Sequence, residues 1–288
     1  MDAIDRLLQG SIDMHAHYGP STTSERLKLD ALQGAQLACK AGMRAIVLKS
    51  NEYPTGPLAY IVSQVVQNLS VFGAICLNSE AGGLNPKVLE TSAKLGARVV
   101  WMPTSSSNYD AYHYVFKNDG SGISILDGNG KLLPVVGEIL DIINRYQLVL
   151  ATGHLSPDGA FALVDEARVK GISKIVITHA IGKTPGAYFS LEKQLQLADK
   201  GAFMEHCFGT TIPTRPLEQK LDPMDIVEGV RAIGAERCIL STDFGQVHNP
   251  PPAEGMKMMI DCMLKCGLTE KEIELMVKTN PSKLLGLD

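Results

Sequence analysis

The stretch Ser11-Ile12-Asp13-Met14-His15-Ala16-His17 is a short apolar run that ends in two histidines separated by one residue. Residues two apart in an extended strand point to the same side, so His15 and His17 form a chelate for one cation. Four later apolar runs also stop at residues that bind metals in proteins. They end at His154, His179, Glu205-His206 and Asp243. Buried strands that end together place these side chains around one point, which predicts a divalent metal site.

The rest of the chain alternates short apolar runs with segments of helical character. The sequence predicts eight strands, at residues 11–17, 44–49, 71–77, 97–102, 148–152, 174–178, 202–205 and 238–242. Continuous apolar runs of this length are typical of parallel strands that are buried on both faces. Eight such units favour a single closed (β/α)8 TIM barrel over an open doubly wound sheet. No glycine-rich nucleotide fingerprint follows the first strand, which also disfavours the open sheet.

One segment breaks this alternation. Residues 105–131 are rich in serine, tyrosine and glycine, and we expect them to form a loop excursion beside the barrel mouth. No shift in composition marks a boundary between domains. Residues 1–288 are therefore expected to form a single domain.

The composition disfavours several classes of protein. A net charge of -4 gives no basic surface for nucleic acid or for an anionic membrane. No stretch approaches the roughly 18 uninterrupted apolar residues that a membrane span requires. The six cysteines lie mostly within apolar segments, as expected of buried thiols in a reducing compartment. The N-terminal residues lack the apolar core of a signal peptide. We expect a cytoplasmic protein whose partner is a small-molecule substrate.

The sequence resembles the amidohydrolase superfamily of metal-dependent hydrolases, and within it a branch whose substrates are poorly defined. The matching residues, in the order typical of the superfamily, are Asp13-Met14-His15-Ala16-His17, Gly153-His154, Thr178-His179, Ser241-Thr242-Asp243 and a closing Thr279-Asn280-Pro281-Ser282-Lys283-Leu284-Leu285. The resemblance spans nearly the whole chain. It implies a (β/α)8 barrel, one or two bound metal ions, attack by water that the metal activates, and assembly into homo-oligomers.

Imidazole and carboxylate side chains are the expected ligands of Zn2+ and of Mn2+, Fe2+ or Ni2+. The predicted ligands are His15, His17, His154, His179 and Asp243. The resemblance also implies a role for Asp243 in catalysis, as the base that accepts a proton from water and delivers it to the leaving group. His179 or Lys49 would then stabilise the oxyanion on the substrate.

Lys49 leaves the number of metal ions open. Binuclear members of the superfamily often bridge two ions with a carboxylated lysine or a glutamate at the end of strand four, where this chain has Trp101-Met102-Pro103-Thr104. Lys49 ends strand two, and it is either a carboxylated metal ligand or an ammonium that binds an anionic substrate. If Lys49 is not a ligand, a single ion becomes favoured and His179 polarises the attacked group. That ion would be held by His15, His17, His154 and Asp243.

Other residues near strand ends are candidates for substrate binding. Lys49, Ser50, Glu205 and His206 are predicted to contact the substrate. Adjacent residues of a strand face opposite sides, so only one of Glu205 and His206 can point into the mouth.

The expected reaction is hydrolysis of a small-molecule amide, lactone, imide or ester, and three alternatives remain open. The first is a metal-dependent decarboxylase, for which Arg215 is the only plausible carboxylate-binding arginine near a strand end. The second is a PHP-type phosphoesterase, which shares the motif at residues 13–17. Those enzymes use a Thr-Asp-His after strand two, where this chain has Leu48-Lys49-Ser50-Asn51. The third is a barrel that binds metal without catalysis.

Overall fold

The computed structural model describes residues 2–22, 27–113, 122–182, 187–212 and 220–287. Within these residues, eight parallel strands pair in the order of the sequence. They are β1 (Ile12–His17), β2 (Ala45–Lys49), β3 (Ser70–Cys76), β4 (Ala97–Trp101), β5 (Val149–Ala151), β6 (Ile175–Ile177), β7 (Phe203–Cys207) and β8 (Cys238–Ser241). The predicted (β/α)8 barrel is confirmed.

Helices connect the strands and cover the outside of the barrel. In the described residues they are α1 (Ala3–Leu8), α2 (Ala31–Lys40), α3 (Gly56–Val65), α4 (Pro86–Lys94), α5 (Asn108–His113), α6 (Pro134–Arg145), α7 (Pro157–Val169), α8 (Leu191–Asp199), α9 (Pro223–Ile233), α10 (Pro252–Lys265), α11 (Glu270–Glu274) and α12 (Asn280–Leu285). A π-helical segment, Leu275–Thr279, joins α11 to α12. Over the part of the chain that the structure describes, no helix combines the length and hydropathy that crossing a bilayer requires.

Two apolar layers follow from the two faces of each strand. Alternate strand residues, such as Val47, Val99 and Ile239, are buried in one cluster together with Leu284 of α12. The residues between them pack in a second cluster with the helices. Because side chains of a strand alternate between faces, the first cluster fills the barrel and the second lies between barrel and helices. This packing gives the strand ends a rigid support.

Hydrogen bonds between β1 and the end of β8 close the barrel. The backbone N–H of Asp243 donates to the carbonyl of His15 at 2.8 Å, and that of His17 donates to the carbonyl of Phe244 at 2.7 Å. The buried carboxylate of Asp13 accepts from the backbone N–H of Thr242 at 3.1 Å and from its hydroxyl at 2.5 Å. The first and last strands are therefore fixed to each other where the predicted metal ligands lie.

The excursion at residues 105–131 is only partly a loop. It contains the short helix α5, and isolated bridges pair Ser107 with Ile123 and Leu126 with Leu132. Residues 114–121 lie outside the described residues. The segment therefore places a helix beside the barrel mouth, which its serine- and glycine-rich composition did not indicate.

Candidate metal centre

The carboxyl ends of three strands bring three predicted histidine ligands around the carboxylate of a fourth predicted ligand, Asp243. The Oδ1 atom of Asp243 lies 3.2 Å from Nε2 of His15 and 3.2 Å from Nε2 of His17. The Oδ2 atom of Asp243 lies 3.9 Å from Nε2 of His179. The side chains of His15, His179 and Asp243 are buried, and that of His17 nearly so. Residues far apart in the sequence thus converge at one end of the barrel.

His154 joins this group through His179, whose ring centroid lies 5.5 Å from that of His154 and 5.1 Å from that of His15. The Nδ1 atom of His179 is buried and has no hydrogen-bond partner among the described residues. All five predicted imidazole and carboxylate ligands therefore belong to one contiguous cluster, which we call the centre.

Residues with a left-handed backbone conformation follow the strands that carry the centre. His179 and Asp243 both have φ of 52°, and Gly153, just before His154, has φ of 61°. Residues other than glycine seldom adopt this conformation, although His and Asp tolerate it better than most. At Gly153 a Cβ atom would lie 2.3 Å from the carbonyl oxygen of Met102, so the close approach of β4 requires glycine there. Such strain is concentrated at functional sites in proteins.

Carboxylates orient two of the histidines. The Nδ1 atom of His154 lies 2.8 Å from Oδ2 of Asp110, and the Nδ1 atom of His15 lies 3.1 Å from Oε2 of Glu205. An ionised carboxylate only accepts hydrogen bonds, so each Nδ1 carries the proton and donates. The opposite nitrogen, Nε2, is buried in both rings; that of His154 makes no hydrogen bond with the described residues, and that of His15 faces Oδ1 of Asp243 at 3.2 Å. Histidines that bind metals typically donate their other ring N–H in this way.

The charge on His15 reflects its two carboxylate neighbours. Burial opposes protonation of the ring, and so does the ammonium of Lys49. The carboxylates of Glu205 and Asp243 outweigh both effects and raise the pKa of His15 to about 9. A proton on His15 therefore supplies the positive charge that the two carboxylates require, and a metal ion would replace it on binding.

The other two rings next to Asp243 favour the neutral state. Burial and the nearby ammonium of Lys49 lower the pKa of His17 to about 4. Burial lowers the pKa of His179 well below its usual value. Burial alone would raise the pKa of Asp243, but the imidazoles around it hold that pKa well below its usual range. Neutral imidazoles and an ionised carboxylate are the protonation states that metal ligands need.

The arrangement fits a divalent transition metal. Two atoms that bind one zinc ion at about 2.1 Å lie roughly 3.0–3.4 Å apart in tetrahedral or octahedral geometry. The 3.2 Å distances from Asp243 to His15 and His17 fall in this range. The buried Nε2 atom of His154, which has no hydrogen-bond partner among the described residues, supplies a further donor position. A group of His15, His17 and Asp243, with ligand atoms within 4.8 Å of one another, meets the spacing of a metal site.

Cys207 also lies in the centre, although the sequence did not indicate it. Its Sγ atom is 3.7 Å from Nδ1 of His15, and His15, His179 and Cys207 form a second group with metal-ligand spacing. Burial raises the pKa of the Cys207 thiol well above its usual value, and the carboxylates of Glu205 and Asp243 add to the effect. A metal ligand must be a thiolate, so this thiol is a poor donor.

Lys49 lies beside the centre, as its position at the end of strand two predicted. Its Nζ atom is 3.5 Å from Nε2 of His17 and 5.5 Å from the centroid of the Trp101 ring. Ser50 is buried next to it, and its hydroxyl accepts a hydrogen bond from the backbone N–H of Glu52 at 3.1 Å. The roles of Lys49 and Ser50 in substrate binding stay predictions.

The structure corrects the expectation for His206 and gives Glu205 a different contact. The two residues face opposite sides of β7, as adjacent strand residues must. His206 packs outside the barrel, where a Cβ atom on Gly229 of α9 would lie 3.6 Å from its Cε1 atom. This position argues against a contact with substrate in the mouth. Glu205 faces inward, but there it holds the ring of His15.

Two carboxylates that support the centre were missed in the sequence. Asp110 lies in the excursion, where nothing in the composition marks it. Asp13 precedes the two histidines of β1 and was treated only as part of their motif, whereas it ties β1 to Thr242. Arg215, the arginine considered for a decarboxylase, lies outside the described residues.

Solved structures with this fold include several enzymes. An amidohydrolase from Pseudomonas aeruginosa aligns with a TM-score of 0.65 at 13% identity, over 98% of each chain. The probable dipeptidase PvdM from Pseudomonas aeruginosa gives a TM-score of 0.66 at 11% identity, over 98% of this chain and 96% of that one. A 2,6-dihydroxybenzoate decarboxylase from Rhizobium gives a TM-score of 0.61 at 13% identity, over 97% of this chain and 99% of that one. These similarities confirm the barrel fold that the sequence predicts.

Comparison of the sequence alone finds fewer relatives than comparison of the fold. No curated protein matches the chain. Residues 10–205 match the family described as "Family of unknown function (DUF6282)". This range includes β1 and the histidines that follow β5 and β6. Because the match covers more than half of the 288 residues, the chain belongs to this family, DUF6282.

Proposed function

We propose that the protein is a metal-dependent hydrolase that cleaves an amide, lactone, imide or ester bond in a small molecule. One observation carries the proposal. The Nε2 atom of His154 is buried without a hydrogen-bond partner among the described residues, and that of His15 faces Oδ1 of Asp243 at 3.2 Å, while a carboxylate holds each opposite nitrogen. A protein that leaves a nitrogen such as that of His154 unpaired in its interior loses free energy unless a ligand satisfies it. A metal ion is the ligand that the orientation of the two histidines fits.

The chain offers donors for one or two ions. His15, His17 and Asp243 would hold the first ion, and His154 with His179 would complete its shell or hold a second. Zn2+ is the first choice, and Mn2+, Fe2+ and Ni2+ accept the same donors. When bound, such an ion polarises the substrate and lowers the pKa of a coordinated water.

Side chains of the protein then transfer the proton and bind the oxyanion. Asp243 is buried and, because its pKa is held low, ionised at neutral pH. It is therefore poised to accept a proton from the attacking water and to deliver it to the leaving group. His179 stays neutral because burial lowers its pKa, and its Nε2 faces Asp243 at 3.9 Å. If His179 does not hold an ion, it contributes in that position to binding the oxygen that becomes negative during attack.

Metal analysis and a substrate screen test the proposal together. Protein purified without chelator should contain one to two equivalents of a transition metal. The metal-loaded protein should hydrolyse at least one amide, lactone, imide or ester in a panel that also contains phosphate esters. Asp243→Asn should remove turnover while its circular dichroism spectrum remains that of the wild type.

Three other results would contradict the proposal. Protein without metal that does not change on addition of zinc or manganese would favour a non-catalytic barrel. Cleavage of phosphate esters alone would favour a phosphoesterase. The panel should also contain hydroxybenzoates, because a 2,6-dihydroxybenzoate decarboxylase shares the fold. Release of CO2 without any hydrolysis would replace the proposal with a decarboxylase.

A further inference from the structure

Lys49 carries a buried positive charge beside the centre. The residue is 3% exposed, and no carboxylate among the described residues pairs with its Nζ atom. Within those residues the hydrogen-bond contact of Nζ is with Nε2 of His17 at 3.5 Å. An ammonium removed from water is unfavourable unless an anion or several acceptors replace the water. The structure therefore provides a cation whose partner is still missing.

Trp101 supplies a second donor in the same place. It is 1% exposed, its ring centroid lies 5.4 Å from that of His15, and Nζ of Lys49 lies over its ring. Its Nε1 has no hydrogen-bond partner in the described part of the chain. Buried indole N–H groups usually find an acceptor. A buried ammonium and a buried N–H donor thus lie together at the edge of the centre.

The carboxylates of the centre do not serve these two donors. Asp243 lies against the rings of His15 and His17, and Glu205 is used by Nδ1 of His15. A metal ion on His17 would place a second positive charge near Lys49. The described residues thus leave both donors without a carboxylate, and an anionic ligand would supply one.

The contact with Trp101 also bears on the state of Lys49. The face of an aromatic ring attracts a cation and repels an anion. A carboxylated lysine carries negative charge at its end, whereas an ammonium is stabilised where Nζ lies over the indole. The ammonium form therefore fits its surroundings better than the bridging carbamate does.

We infer that Lys49 binds a carboxylate group of the substrate, with Trp101 as a second donor. The inference rests on the proposed function and narrows it. The substrate is an amide, lactone, imide or ester that also carries a carboxylate.

Binding of small carboxylates tests the inference without turnover. The probes are succinate, glutarate and benzoate, each compared by titration calorimetry with the neutral amide of the same size. Titrations use the full-length protein both with zinc and after removal of metal by a chelator. In the chelated protein, a carboxylate cannot gain affinity by binding a metal ion.

Two variants separate charge from shape. Lys49→Met keeps the length of the side chain without its charge, and Lys49→Arg keeps the charge. Wild-type protein should bind at least one carboxylate more tightly than its amide. Lys49→Met should weaken that binding about tenfold or more, as expected for a charged hydrogen bond. Lys49→Arg should retain most of the affinity, and the amides should be insensitive to both changes.

Metal content distinguishes failure of the inference from failure of the proposed function. Lys49→Met should bind as much zinc as the wild type. Loss of metal in this variant, with a carbamate signal in 13C NMR after equilibration with 13C-bicarbonate, would identify Lys49 as a ligand and overturn the inference. Equal carboxylate affinity in wild type and Lys49→Met, or no carboxylate binding at all, would also overturn it. In each case a metal-loaded, active wild-type protein would leave the hydrolase proposal intact.

Discussion

The Oδ2 atom of Asp110 lies 2.8 Å from the Nδ1 atom of His154. This hydrogen bond connects α5, which belongs to the excursion after β4, to a histidine that follows β5. It fixes the ring so that Nε2 remains available to a metal ion. A segment outside the eight βα units therefore takes part in shaping the centre.

Replacement of Asp110 by Ala should weaken metal binding at His154. Loss of a carboxylate that orients a metal-binding histidine typically lowers metal affinity about 10–100-fold. Competition for zinc with a chromophoric chelator measures the change. Asp165→Ala is the control, because the carboxylate of Asp165 pairs with Lys200 on the surface. Equal affinities in the two variants would show that Asp110 does not orient a ligand.

Zinc should stabilise the folded protein. A ligand at one hundred times its dissociation constant adds about 2.7 kcal/mol to the free energy of unfolding. In a domain of 288 residues that corresponds to a rise of about 4–5 °C in Tm. Differential scanning calorimetry with zinc and with a chelator measures the difference. His15→Gln should abolish the difference, whereas His248→Gln, at an exposed loop position, should preserve it. A Tm independent of zinc in the wild type would contradict the metal site.

Gly153→Ala should destabilise the protein and disturb His154. The added Cβ would lie 2.3 Å from the Met102 carbonyl oxygen, and alanine disfavours φ of 61°. We expect a loss of about 2–4 kcal/mol in the free energy of unfolding, measured by urea denaturation. Gly137→Ala is the matched control. Gly137 lies within α6 with open space around its Cβ position, so this change should be neutral or stabilising by about 0.5–1 kcal/mol. Similar effects at both positions would refute the steric argument.

His206 should make the protein sensitive to acid. Burial lowers the pKa of its imidazole to about 4, with Glu205 only partly offsetting the effect. In the unfolded chain the pKa is about 6.5, so as the pH falls from 6.5 to 4 only the unfolded chain takes up this proton. The stabilising effect of a neutral buried ring is complete above pH 6.5 and is lost progressively below it.

Urea denaturation at two pH values measures this loss. Between pH 7 and pH 5 it amounts to about 2 kcal/mol in the free energy of unfolding. His206→Leu has no ring to protonate and should lose about 2 kcal/mol less than the wild type over this interval. The exposed position of His248 provides the control variant His248→Leu, which should behave like the wild type. An identical loss in wild type and His206→Leu would rule out His206 as the origin.

The barrel and most of the centre were predictable because strand ends carry strong signals. The apolar run before His179 predicts both a buried strand and the point where it stops, and parallel strands of a barrel end at the same rim. The same reasoning placed His15, His154 and Asp243 near one another. Burial and strand direction alone determine these positions, so a single sequence is sufficient to predict them.

The orientation of β7 was not predictable. Each face of Phe203-Met204-Glu205-His206-Cys207 carries both ionisable and apolar residues, so alternation does not identify the inner face. Only the packing of His206 against α9 and of Glu205 against His15 decides it. Asp110 was not predictable either, because its contact depends on how an irregular segment folds back over the mouth.

The closure of the barrel by Asp13 and Thr242 determines when the proposed metal ligands can come together during synthesis. The two residues are 229 positions apart in the chain. A growing polypeptide presents His15 and His17 to the cell long before the ribosome has added Asp243. Until β8 is complete and paired with β1, these histidines lack their shared carboxylate. The full set of proposed ligands therefore exists only after translation of nearly the entire chain.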